Sequence, residues 1–196
     1  MTPPNSATVA ICVPSGDMVH ADFAMNLATL CLNPGSRACI INAKSSLVAL
    51  GRNQCVEAAL VAGASHVFFI DSDMVFPPDA LARLLAHNKD IVGCAYAQRV
   101  PNPHPLGVTL EGEHVNVTAG LRKMKIIPTG CLMIKTSVFA KLEKPWFNTG
   151  VEAGKIVGED YFFCAAAISA GFEIWCDGDL SRGIGHIGQQ IFRIPG

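Results

Sequence analysis

Apolar and polar positions in this chain follow two different periods, and the two take turns. "TVAICVP" (8–14) is an almost unbroken apolar run closed by Pro14 and the turn residues "SGD", which predicts a strand. "HADFAMNLATLCL" (20–32) spaces Phe23, Leu27 and Leu30 along one face, which predicts a helix, and "NPGSR" ends it. "ACIINA" (38–43) predicts a second strand, and "SSLVALGRNQCVEAALVAG" (45–63) a helix that stops at Gly63. "HVFFI" (66–70) is a continuous apolar run of the kind covered on both faces in the middle of a sheet. "PPDALARLLAHN" (77–88) predicts a helix with prolines in its first turn, and "DIVGCAY" (90–96) another strand. Strands alternating with helices imply an α/β sheet with crossover connections.

The second half is less regular. "PNPHPLGVTLEGEHVNVTAG" (101–120) predicts a loop and hairpin reaching over the site, and "KIIPTGCLMIK" (125–135) one strand kinked at Pro128–Gly130. "GEDYFFCAAAISAG" (158–171) predicts a helix opening on two acids, and "FEIWCD" (172–177) a last core strand. "LSRGIGHIGQQIF" (180–192) is glycine-rich and predicts a loop or edge strand. No internal repeat or linker interrupts the chain, and 196 residues suit one domain, 1–196.

Composition narrows the function classes. A net charge of -1 gives no electrostatic case for nucleic-acid binding. The eight cysteines include no C-x-x-C pair and no zinc spacing with histidine, so free, mostly buried thiols in a reducing compartment are expected. The N-terminal "MTPPNSATVAICVP" lacks the basic start of a signal peptide, and its apolar run is too short to span a bilayer. The expectation is a cytoplasmic protein with no transmembrane segment.

The chemistry concentrates in "HVFFIDSDMVFPPD" (66–79). Asp71 and Asp73 follow a buried strand, where ligands of α/β sheets bind. In an extended segment residues two apart point the same way, and two adjacent carboxylates repel unless a cation lies between them. Oxygen ligands with an open face suit Mg²⁺ or Mn²⁺, which grip phosphates through their remaining positions. The competing reading is a solvated strand end with Asp73 capping the following turn.

The segment "GRNQCVEAALVAGASHVFFIDSDMVFPPDALARLL" resembles the core of GT-A glycosyltransferases, particularly family-two-like members. The resemblance continues through "DIVGCAYAQR", "IPTGCLMIKTSVFAKL", "GEDYFFCAAAISAGFEIWCDGDL" and "GHIG", and so covers roughly residues 8 to 188. It implies a GT-A, Rossmann-like nucleotide-diphospho-sugar transferase fold, with a mixed, mostly parallel sheet flanked by helices. It implies an enzyme that moves a sugar from a UDP- or GDP-linked donor to a hydroxyl of an unknown sugar, glycan or lipid-linked acceptor; inversion is the expected outcome, and retaining enzymes share this fold and metal site.

Carried over, Asp71 and Asp73 would hold the metal and diphosphate, with Ser72 near the ribose or the metal and His186 as a third ligand. Pro14, Ser15 and Asp17 would lie where the nucleotide base is held, and Arg52 and Asn53 would face the nucleotide. Gly130 would line the sugar side, and Trp146 would stack on an acceptor sugar or else pack in the core. Asp160, or else Glu159, would be the catalytic base, kept ionised by the helix N-terminus.

The Q-x-x-R-W motif of processive synthases is absent, which argues against polymer synthesis and export. The chain is short for this fold, so a homo-oligomer completing the acceptor site is one arrangement open to it. Three other classes compete: a haloacid-dehalogenase-type phosphatase with Asp71 as nucleophile, a sugar nucleotidylyltransferase, and a non-catalytic nucleotide-sugar-binding module. The second would need a basic, glycine-rich loop that "VPSGDMVHADF" does not supply.

Overall fold

The computed structural model describes residues 7–152, 154–188 and 191–193. The first half alternates as predicted apart from the unexpected two-residue β4: β1 (Thr8–Ser15), α1 (Ala21–Leu32), β2 (Arg37–Lys44), α2 (Val48–Val61), β3 (His66–Ile70), β4 (Met74–Val75), α3 (Ala80–Ala86) and β5 (Ile91–Gly93). The second half adds β6 (Val108–Thr109), β7 (Leu121–Ile126), β8 (Cys131–Lys135), α4 (Thr136–Phe139), β9 (Gly150–Glu152), β10 (Lys155–Val157) and α5 (Glu159–Ser169). It closes with β11 (Ile174–Asp177), α6 (Gly178–Ser181), β12 (Gly185–Ile187) and β13 (Ile191–Phe192).

Eight strands form one mixed sheet in the order β2-β1-β3-β8-β5-β11-β7-β6. β1 pairs in parallel with β2 and β3, and β5 with β11. β8 runs antiparallel between β3 and β5, and β7 is antiparallel to both β11 and β6. Most strands therefore point one way, yet the parallel pairings are outnumbered because β8 and β7 are reversed. This corrects the mostly parallel expectation. It also corrects the single kinked strand: residues 125–135 belong to two strands, β7 and β8, separated in the sheet by β11 and β5. The turn at Pro128–Gly130 is a crossing from one part of the sheet to another. The segment 101–120 contributes β6 at the far edge of the sheet, and its first part folds back so that the Leu106 N–H donates to the Tyr96 carbonyl at 2.8 Å.

β3 shows why its sequence is apolar throughout. Val67 and Phe69 pack into a core with Cys55, Val56 and Ala59 of α2 and Phe163 of α5. Phe68 and Ile70 face the opposite core with Phe23 and Leu30 of α1 and Leu81 and Leu84 of α3. A strand covered on both faces has no polar position to alternate with.

Gly93 ends β5 where a Cβ would lie 2.6 Å from the Cys131 carbonyl, so β8 and β5 approach too closely there for any side chain. All eight cysteines are unpaired, and six are buried. Among the described residues no helix is long and apolar enough to cross a membrane. A second, three-stranded sheet joins β4, β12 and β13, and it carries the C-terminal segment back to the end of β3.

Candidate functional site

The chain turns sharply as it leaves β3. The Met74 N–H donates to the Asp71 carbonyl at 3.1 Å, so residues 71–74 form a tight turn and not an extended segment. The two carboxylates consequently diverge, which corrects the expectation that they share one direction.

Asp71 is held inward by Arg52. The guanidinium donates from Nη1 to Oδ1 and from Nη2 to Oδ2, both at 2.9 Å, a bidentate fork. Its Nε donates to Glu159 Oε1 at 3.2 Å, and that oxygen also accepts from Thr129 Oγ1 at 3.4 Å. Arg52 is only 2% exposed, and its guanidinium carbon lies 5.3 Å from the centre of the Phe69 ring. Burial opposes its charge, but Asp71 and Glu159 outweigh burial and raise its pKa above that of a free arginine. Arg52 is therefore spent on two protein carboxylates and is not free to face a nucleotide, contrary to the sequence expectation.

Gly130 supports the same cluster from β8's leading turn. Its N–H donates to Tyr96 Oη at 3.0 Å, and its carbonyl accepts the Asp71 N–H at 3.1 Å. A Cβ there would stand 2.5 Å from Tyr96 Oη and 3.0 Å from Asp71 Oδ2. Glycine is required by this close approach, and its role is to seat Asp71 beside Tyr96.

Asp73 points the other way. Its Oδ2 accepts from Arg99 Nη1 at 2.7 Å and lies 3.5 Å from His186 Nε2. Pairing of β4 with β12 sets His186 opposite Met74, and the Ile187 N–H donates to the Asp73 carbonyl at 2.6 Å. The other ring nitrogen, Nδ1, lies 3.1 Å from the Ala97 carbonyl. A carbonyl can only accept, so Nδ1 is placed as the donor to Ala97, and Nε2 faces the Asp73 carboxylate. Burial tends to raise the Asp73 pKa, but His186 and Arg99 outweigh it and hold this carboxyl below the usual range. Arg99 lies in the quoted "DIVGCAYAQR" but received no role from sequence; only the fold shows which carboxylate it meets.

Ser72 and both aspartates line one polar cleft with Pro14, Ser15 and Gly16 from the end of β1, Ser45 just before α2 and Gly51 within it. Ser15 Oγ donates to the Gly16 carbonyl at 2.9 Å and accepts from Asn42 Nδ2 at 2.8 Å, which fixes the loop after β1. Three predicted residues lie elsewhere. Asp17 is exposed, 3.4 Å from Lys44 Nζ, on a neighbouring apolar groove between α1 and the first two strands. Asn53 clamps a distant loop: Nδ2 donates to the Ala49 and Phe147 carbonyls, and Oδ1 accepts the Trp146 and Phe147 N–H groups. All of the Asn53 carboxamide is thereby used, so it does not face a nucleotide. Trp146 is buried against Phe139 and donates Nε1–H to the Phe139 carbonyl, so its ring packs in the core and offers no stacking face to a sugar.

Asp160 begins α5 next to Glu159. Its Oδ1 accepts the Tyr161 N–H at 2.7 Å. Burial, reinforced by Glu159, raises its pKa against the lowering effects of that N–H and of Arg52. The helix N-terminus tends to keep this acid ionised, as the sequence leads one to expect, but burial outweighs that tendency in the direction of its pKa.

Both aspartates already hold cationic side chains, so a divalent cation at either carboxylate would compete with an arginine. Asp73 Oδ2 is shared between Arg99 and His186, and both oxygens of Asp71 accept from Arg52. Among the described residues no cluster of three or more His, Cys, Asp and Glu side chains is arranged to hold a metal ion. A cation held by two side chains would depend on ligand phosphates and water for the rest of its shell.

No protein-family model matches the chain, and no curated protein sequence does. Among solved structures, the crystal structure of A197 from STIV matches with a TM-score of 0.64 at 15% identity. The match covers 97% of this chain and 95% of that one. At this identity it shows a shared α/β fold across nearly the whole of both chains.

Arg52→Met should destabilise the fold by about 3–5 kcal/mol, because two carboxylates lose their buried partner. Urea denaturation checks this, and an unchanged midpoint would show that the cluster carries no stability. Asp160→Asn should have the opposite sign. An acid with a raised folded-state pKa loses stability as pH rises from its ordinary 3.8 through the raised value. The Asn variant escapes that loss, so it should equal wild type in strong acid and exceed it near neutrality. Equal stability of the two proteins at every pH would contradict the shift.

Proposed function

We propose that this chain is a GT-A-type glycosyltransferase acting on a nucleoside-diphosphate sugar. The observation that carries the reading is the convergence of Asp73, His186 and Arg99 at the end of β3, beside the cleft closed by Pro14 and Ser15. These groups pair one carboxylate with two cationic or metal-binding side chains, the kind of set that recognises a diphosphate. Asp73 and His186 would hold Mn²⁺ or Mg²⁺, which when bound supplies charge neutralisation for the departing diphosphate.

The two acids at the start of α5 support the other half of the reaction. Glu159 is held by Arg52 and Thr129, so its part is to position Arg52 and the cluster. Asp160 is the base: its raised pKa brings it closer to the working pH, where general-base catalysis is most effective. In the transfer, an acceptor hydroxyl gives its proton to Asp160 as its oxygen bonds to the anomeric carbon. The bond from that carbon to the diphosphate oxygen breaks, and the configuration inverts.

A phosphatase reading is less well supported, because its nucleophile would be Asp71. That carboxylate faces the buried Arg52 with both oxygens.

UDP or GDP with Mn²⁺, at 100 times the dissociation constant, should stabilise the protein by about 2.7 kcal/mol. The increment should vanish with EDTA and in Asp73→Asn, as read by thermal denaturation. Equal stabilisation with Mn²⁺ and with EDTA would refute the metal site, and failure of both nucleotides to bind would refute the donor.

A further inference from the structure

A second cleft lies on the other side of α2's first turn from the Asp71–Asp73 cleft, and nothing above gives it a ligand. Its volume is about 500 Å³, against about 170 Å³ for the polar cleft, and it falls in the range typical of small-molecule sites. The two share Val48. Beneath that turn, Arg52 reaches Asp71 on one side and Glu159 on the other, and Glu159 lines the second cleft.

The lining has two kinds of surface. Leu47, Val48, Leu50, Pro145 and Phe147 make an apolar wall, and Glu159, Asn148 and Thr149 are polar. Leu47 is 64% exposed and Leu50 48%, unusual for leucines placed side by side at the start of a helix. The apolar surface is extended in the hairpin that follows Thr149. There Val151 and Ile156 are a directly opposed cross-strand pair, exposed by 74% and 85%. Asn53 fixes the loop that forms the far wall, so the cleft is pre-built.

We infer that this cleft binds an amphiphilic acceptor, a hydroxyl-bearing head group carried on an apolar chain. The head group lies at the Glu159 end, next to Asp160, and the chain runs along Leu47 and Leu50 toward the β9–β10 hairpin. Calling the ligand an acceptor rests on the glycosyl-transfer reading; the amphiphilic character rests on the cleft alone. The site replaces the stacking role that a buried Trp146 does not perform.

The test titrates the full chain with methyl and octyl β-D-glucopyranoside, the latter below its micelle concentration, by isothermal calorimetry. A fully buried methylene is worth about fourfold in affinity, so even partial burial of the chain should make octyl at least tenfold tighter than methyl. Leu47→Ser/Leu50→Ser, with both changes at exposed positions, should erase most of that difference. Equal affinity of the two glycosides for wild type would overturn the inference without reference to the variant. So would sedimentation showing a wild-type dimer that the double variant dissociates, since the leucines would then belong to an interface between copies. Nucleoside-diphosphate binding, measured separately, tells the two readings apart. Donor binding without octyl preference sinks this inference alone, whereas octyl preference without donor binding sinks the transferase and leaves an amphiphile site.

Discussion

The buried Arg52 guanidinium is the constraint on which the site depends. A charge at this depth is tolerated only when its donors are matched by acceptors of opposite charge. Here the acceptors come from residues 19 and 107 positions away, Asp71 and Glu159. One side chain of α2 thereby ties the end of β3 to the start of α5, two elements that the chain order keeps far apart. The tie also decides which aspartate does what. Asp71 is turned inward and neutralised, and Asp73, two residues later and past a tight turn, is left to face Arg99 and His186.

Much of this was legible from the residues, and the limits of legibility have physical causes. The strand–helix alternation of the first half is local: apolar periodicity and breakers such as Pro14 and Gly63 are sufficient to mark it. The convergence of Asp73 with His186 was also foreseen, through the family resemblance. What local pattern could not carry was pairing. An arginine beside an asparagine on a helix reads the same whether it meets a ligand or a carboxylate from another element. Arg52 proved to be a structural cation and Asn53 a loop clamp, because their partners lie in segments distant in sequence. The same blindness merged β7 and β8 into one strand, since Pro128–Gly130 marks a break without saying how far the chain travels across it.

The sign of the Asp160 shift shows why a single principle misleads at such a position. A helix N-terminus favours the carboxylate, and burial beside Glu159 disfavours it. The balance is set by how the acids pack, which the sequence does not state. For a base the outcome is useful, because a carboxylate held too firmly ionised would take a proton poorly.

The central claim is that Asp73 and His186 form the cation-holding pair of a nucleoside-diphosphate site. Electron spin-echo envelope modulation on the protein with Mn²⁺ and UDP or GDP tests it directly. The account predicts a nitrogen modulation from the His186 imidazole that disappears in His186→Gln. A Mn²⁺–nucleotide complex on the protein with no such nitrogen coupling, or with a coupling unchanged by that substitution, would contradict it.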